Sequence, residues 1–311
     1  MRRTTRIFAT AVTTVLMALA VIPAAQARPL GEPGNRCVVH PSAVGRATAS
    51  TRIRDDVHRL GRPELTRYLN RNPQLKLQAE RAARVATITV PVAFHVIRKD
   101  LTVGGGNIPR SWIDDQIEVL NDSFSGATGG DRTGFQFSLK VVTRTTSAKW
   151  FRLNGSNKDI GVKTALKVGG TETLNIYSAN LGNLLLGYAY LAEDADEVGV
   201  LDGVVVNFKA LPGGPWGVYS EGDTATHEVG HWFNLEHTFQ GGCTGPGDFV
   251  DDTAPEASPA FGCPVGRDTC TGDGVDPITN FMDYTEDPCM FEFTSGQGAR
   301  MQAAWSAYRA P

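Results

Sequence analysis

For residues 87–311 the sequence predicts an α+β fold: a mixed, twisted sheet with helices, then an irregular half closed by one more helix. Three observations predict it. Short β-rich runs alternate with helical periodicity up to about residue 234. A histidine-bearing helix then gives way to a stretch rich in Gly, Pro, Asp and Cys. A capping signal near residue 294 opens the last helix.

The elements follow in order. Thr87–Ile97 is dense in β-branched residues, and Pro91 suggests the start or edge of a strand. Trp112–Phe124 keeps Ile113, Ile117, Leu120 and Phe124 at helical spacing. Phe135–Thr143 alternates Phe135, Phe137, Leu139 and Val141 with polar partners, the pattern of a half-buried strand. Leu174–Tyr177 and Val204–Phe208 are two further short strands, and Thr224–Asn234 reads as a helix. The upper half should thus hold a sheet with two helices. Gln240–Phe293 shows little periodicity; cysteines and bound metal ions can replace a regular core there. Thr294 and Gln297 form a capping box for a helix running to Tyr308.

Composition narrows the function. With 41% hydrophobic and 20% charged residues and a net charge of −3, the chain is neither disordered nor built for nucleic acid. Residues 1–87 carry fifteen Lys and Arg against five Asp and Glu, whereas the rest is acidic. These are either two unrelated biases or a basic segment drawn to an acidic body. Arg2, Arg3 and Arg6 precede an apolar run that is short for a bilayer span, and Ala25-Gln26-Ala27 offers a cleavage site. Residues 1–27 therefore read as a signal peptide, residues 28–86 as a prosegment and residues 87–311 as the folded domain. The mature protein is expected to be extracellular, with no membrane anchor. Four cysteines, Cys243, Cys263, Cys270 and Cys289, cluster late in the chain; in an oxidising compartment they imply two disulfides with three pairings open. Cys37 stands apart.

The chemistry concentrates in His227-Glu228-Val229-Gly230-His231-Trp232-Phe233-Asn234-Leu235-Glu236-His237. His227 and His231, four apart, project from one helix face and can offer two nitrogens to one zinc ion. Glu228 can reach water at the metal without ligating it. His237 can complete the ligand set if the helix ends after His231 and the chain turns back.

This pattern resembles the elongated zinc motif of the metzincin proteases, with Asn234 where the family usually has glycine. Asparagine is the next best residue for a left-handed backbone. Asn280-Phe281-Met282-Asp283-Tyr284 resembles the family's Met-turn. Within the metzincins the chain looks most like the pappalysin-like group, through His237-Thr-Phe-Gln-Gly-Gly-Cys243, Gly247-Asp-Phe-Val-Asp-Asp-Thr253 and Cys289-Met-Phe. The resemblance is dense from about Thr224 to Gln297 and general before that. It implies a metzincin-type fold, Met282 as an apolar floor beneath zinc, Tyr284 near the metal as an oxyanion donor, and disulfides Cys243–Cys270 and Cys263–Cys289.

The expected function is that of a secreted zinc endopeptidase acting on proteins or peptides, with Glu228 as general base. Asp287, just past the Met-turn, is the candidate for a preference for Arg or Lys after the scissile bond. Asp248, Asp252, Thr253 and Glu256, with Asp251 among them, are candidate calcium ligands; a polar surface loop is the alternative. Cys37 is the candidate thiolate by which the prosegment would inhibit its own enzyme, an incidental thiol or an intermolecular disulfide being the alternatives. Two rival readings are a binding module with an inactive zinc site and a hydrolase of non-peptide amides. The intact Glu228 argues against the first, and the Met-turn with a removable prosegment against the second.

Overall fold

The computed structural model describes residues 87–153, 157–183, 185–272 and 274–311. The expected signal peptide, prosegment and Cys37 lie outside the described residues. The strands are β1 (Ile88–Arg98), β2 (Phe135–Thr146), β3 (Leu174–Ala179), β4 (Gly187–Tyr188) and β5 (Val204–Asn207). They form one sheet in the order β2-β1-β3-β5-β4, parallel throughout except for the antiparallel edge strand β4. The helices are α1 (Arg110–Ser125), α2 (Asn157–Leu166), α3 (Asp223–Trp232) and α4 (Ser295–Ala304), with a single turn at Ala195–Val198.

Pro91 lies within a central strand rather than at a strand start. It is tolerated because pairing of β1 with β3 begins only at Val92, and the pairing with β2 shifts register between Val92 and Ala93. The β-pleat sends alternate residues to opposite faces. Ile176, Val204 and Val206 face the main core with α1, α3 and the Phe124, Phe135, Phe233 and Phe293 rings. Tyr177, Val205 and Tyr188 face a smaller cluster that includes Val162 of α2. That helix is the main departure from the sequence expectation of two upper helices. Its inward face carries Asp159 and Lys163, which are 3% and 0% exposed, so apolar periodicity does not announce it.

From Phe233 to Thr294 the described residues form no strand or α-helix. Cys243 is bonded to Cys270 and Cys263 to Cys289, with Cα–Cα separations of 5.3 and 5.8 Å. This is the pairing the resemblance implies. The capping box on α4 is complete, and Gln297 does more than cap. Its amide exchanges two hydrogen bonds of 2.8 and 2.9 Å with Asn280, whose Oδ1 also accepts the Met282 amide. The turn carrying Met282 is thereby fastened to the start of the last helix. That helix ends in a π turn, Trp305–Arg309.

Candidate metal centre and active site

Every residue of α3 is buried, and both its ends are held by charges of the sign its dipole favours. Ahead of the N-terminus, Asp287 Oδ2 accepts the amides of Glu221 (3.0 Å) and Gly222 (3.3 Å). At the other end Arg309 Nε donates to Trp232 O (2.9 Å), and Arg300 Nε donates to Asn234 O (2.7 Å). Arg309 also stacks over the Trp232 ring at 3.8 Å and pairs with buried Asp202.

The helix stops at Trp232, two residues earlier than the sequence suggests, in a Schellman turn. Asn234 takes φ 76°, its amide donates to His231 O, and Leu235 N donates to Gly230 O. The Asn234 side chain adds a bond that glycine could not make, accepting the Glu193 amide at 2.9 Å. The turn brings His237 back to the helix. His231 Nε2 lies 3.1 Å from both His227 Nε2 and His237 Nε2.

Two of the imidazoles have a fixed tautomer. His227 Nδ1 donates to Phe281 O (2.6 Å) and His231 Nδ1 to Leu235 O (2.8 Å), because a carbonyl can only accept. Their Nε2 lone pairs then face each other at 3.1 Å, an arrangement a shared cation relieves. A tetrahedral zinc ion with bonds of roughly 2.0–2.1 Å places neighbouring nitrogens about 3.3–3.4 Å apart, so the donor set fits zinc. Among the described residues this is the one group of three or more His, Cys, Asp or Glu side chains close enough to share an ion.

Glu228 is buried beside the ligands, against the edge strand: a Cβ on Gly187 would fall 2.6 Å from its Oε1. Met282 lies under the histidine helix, and a Cβ on Gly230 would meet its Sδ at 2.4 Å. His237 is stacked on Phe239 (centroids 4.7 Å apart) and edge-on to Tyr284 (4.9 Å). Gly187, Gly230 and Phe239 were not anticipated. A glycine inside a helix is a signal of close approach and could have found Gly230; Gly187 and Phe239 act through contacts that local pattern does not encode.

Of the candidate calcium ligands, Asp248 and Thr253 are brought together, whereas Asp252 and Glu256 are engaged elsewhere. Both carboxylate oxygens of Asp248 accept the Thr253 hydroxyl at 2.7 Å, and burial pushes its pKa up to about 7. Asp252 instead holds the start of α4 through the Thr294 hydroxyl (2.7 Å) and the Gly296 amide (2.8 Å). Glu256 accepts the Thr238 hydroxyl and pairs with Arg267. Burial, then the neighbouring Asp283, raise its pKa. Asp287 is 1% exposed, its Oδ2 engaged by the backbone bonds described above.

The sequence profile of the peptidase family described as pregnancy-associated plasma protein-A matches residues 204–306. Extracellular metalloprotease 1 of Coccidioides posadasii is 43% identical over 228 residues, 72% of this chain and 79% of its own. An extracellular metalloprotease of Pyricularia oryzae is 38% identical over 279 residues, covering 86% and 95%. Among solved structures, mature mirolysin of Tannerella forsythia in complex with a cleaved peptide superposes with a TM-score of 0.59 at 32% identity, over 70% of this chain and 90% of that one. A promirolysin mutant of the same organism gives 0.62 at 29% identity, over 78% and 92%.

Proposed function

Because this chain belongs to the metzincin-type zinc peptidases of the pregnancy-associated plasma protein-A family, we propose that it is an extracellular endopeptidase, made as a latent precursor, in which Glu228 moves the protons of peptide hydrolysis. The observation that carries this reading is the convergence of the His227, His231 and His237 Nε2 atoms, two of them fixed by backbone carbonyls, beside a buried glutamate. Zinc held there supplies Lewis acidity, acidifying water and polarising a carbonyl. Glu228 accepts the proton of the attacking water and returns it to the leaving nitrogen. Tyr284, edge-on to His237, donates toward the oxygen on which charge develops. Because β4 is an edge strand beside Glu228, an extended substrate can add to the sheet there. Chelation by o-phenanthroline should abolish hydrolysis of casein, and added zinc should restore it. Hydrolysis that survives chelation contradicts the reading.

Three finer elements belong to the same proposal. Asp287 contributes negative charge to the wall of the pocket beyond the scissile bond and favours Arg or Lys there. A peptide library cut without regard to those residues argues against it. Residues 28–86 inhibit the precursor, with the Cys37 thiolate at the metal and signal cleavage after residue 27. A Cys37→Ala precursor as latent as the wild type argues against this. Calcium binds the oxygen-rich segment 248–256, supported by the concentration of hard donors in a stretch without regular structure. Binding would draw on Asp248 first, since Asp252 and Glu256 hold partners elsewhere.

A further inference from the structure

We propose that Tyr188, anchored from the far side of the sheet by Asp159 and Lys163 of α2, is a positioning residue for Glu228 and acts through Gly187. The inference rests on Glu228 being the base, as argued above.

The strand concerned is two residues long and lies at the sheet edge, paired as Gly187↔Val206 and Tyr188↔Val205, with Asn207 N donating to Leu186 O (2.7 Å) just before it. So short a ladder holds its register weakly, yet the register matters. Adjacent strand residues face opposite sides of a sheet, so a slip of one residue exchanges their environments. In the observed register Gly187 faces α3, where an added Cβ would stand 2.6 Å from Glu228 Oε1 and 2.8 Å from its Cγ. Tyr188 faces away, fully buried among Tyr177, Val205 and Val162. Slipped by one, the strand would drive the tyrosine ring into the space Glu228 occupies.

Two contacts behind the sheet oppose that slip, and a third holds the lysine that makes one of them. The Tyr188 hydroxyl donates to the Asp159 carboxylate. Lys163, one turn along the same face of α2, donates from Nζ to Leu201 O at 2.5 Å. The same ammonium lies 5.5, 5.6 and 5.8 Å from the ring centres of Tyr177, Tyr188 and Tyr190. The charged groups acting on it are Asp159, Asp202 and Lys167, and burial lowers its pKa to about 8 against the pull of the two aspartates. A buried Asp and Lys cost more than apolar residues of like size, and the best-attested use of such groups is to fix a register. Here that register keeps backbone rather than side chain against the carboxylate of Glu228.

The test is a double-mutant cycle on the activated full-length product, with kcat, KM, bound zinc and Tm measured for Tyr188→Phe, Asp159→Ala and the pair. Each single change should lower kcat about 10- to 100-fold, the scale of a misplaced reacting group, with KM within about twofold and zinc retained. The pair should do no worse than either single change. Unchanged kcat per zinc-loaded molecule, with only Tm reduced, would overturn the proposal. If Tyr188→Phe does not fold, Asp159→Asn, whose amide oxygen accepts from the same hydroxyl, must keep a higher kcat than Asp159→Leu; equal values overturn it. Glu228→Ala is run alongside. Activity retained by that variant removes the underlying reading, whereas an inactive Glu228→Ala with unimpaired Tyr188→Phe removes this inference alone.

Discussion

Asn234 illustrates how one residue can serve two ends. Its backbone at φ 76° closes the helix so that His237 can return, and its side chain ties that turn to the Glu193 amide. Glycine would keep the first role and lose the second. Asn234→Gly should therefore cost about 1 kcal/mol, the net worth of one hydrogen bond. Asn234→Ala should cost about 1–2 kcal/mol more, because alanine resists the left-handed region. Denaturant titration of both variants checks the order; equal losses would mean that the turn does not demand this backbone. At Gly187 the expected effect is on chemistry instead. Gly187→Ala should lower kcat about 100-fold with zinc still bound, since the new Cβ displaces the Glu228 carboxylate. The histidines, Glu228 and the turn at Asn234 were legible because their spacing is local. Gly187 was not, because its contact joins β4 to α3 across some forty residues of sequence.

The active-site helix is the element on which the account turns. It is held by Asp287 ahead of its N-terminus and by Arg300 and Arg309 at its C-terminus. Arg309 is fully buried and shares its charge with Asp202 at 3.0 Å. Arg309→Leu leaves Asp202 with Lys167 at 3.6 Å and the charge of Lys163 beyond it, and frees the Trp232 carbonyl. It should destabilise the protein by about 3–5 kcal/mol, seen as a lowered Tm. A loss below about 1 kcal/mol would show that the last helix does not brace the metal helix. α3, α1 and the parallel strands were legible, each written as periodicity or as a motif. The second helix was hidden by its polar inner face, and β4 by a length of two residues. Both belong to the apparatus that sets Glu228.

At the scale of the whole molecule, the sheet-bearing half supplies Glu228 and two ligands, while the irregular half supplies His237, Met282 and Tyr284. Two disulfides and the Asn280–Gln297 pair hold the second half in place of a regular core. Its general character was legible in composition, and the resemblance implied the pairing of its cysteines. The partners of Asp252 and Glu256 were not, since proximity in sequence did not become proximity in space. Asp248 sets a pH dependence. Its pKa is raised to about 7, so its stabilising contribution is complete below about pH 4 and lost as pH rises through 7. With EGTA present, Tm should fall as pH rises from about 4 to about 7 and level off above, and Asp248→Asn should flatten that fall. Calcium, if it replaces the proton there, should flatten it in the wild type; no effect of calcium on Tm argues against that ion.

The central claim is that Glu228 moves protons at a zinc site it does not help to build. The most direct measurement is casein hydrolysis by Glu228→Ala after prosegment removal, with bound zinc quantified in the same sample. The account predicts one zinc ion per chain and activity reduced by about 100- to 10,000-fold. Full activity in that variant, or loss of zinc together with activity, would contradict it.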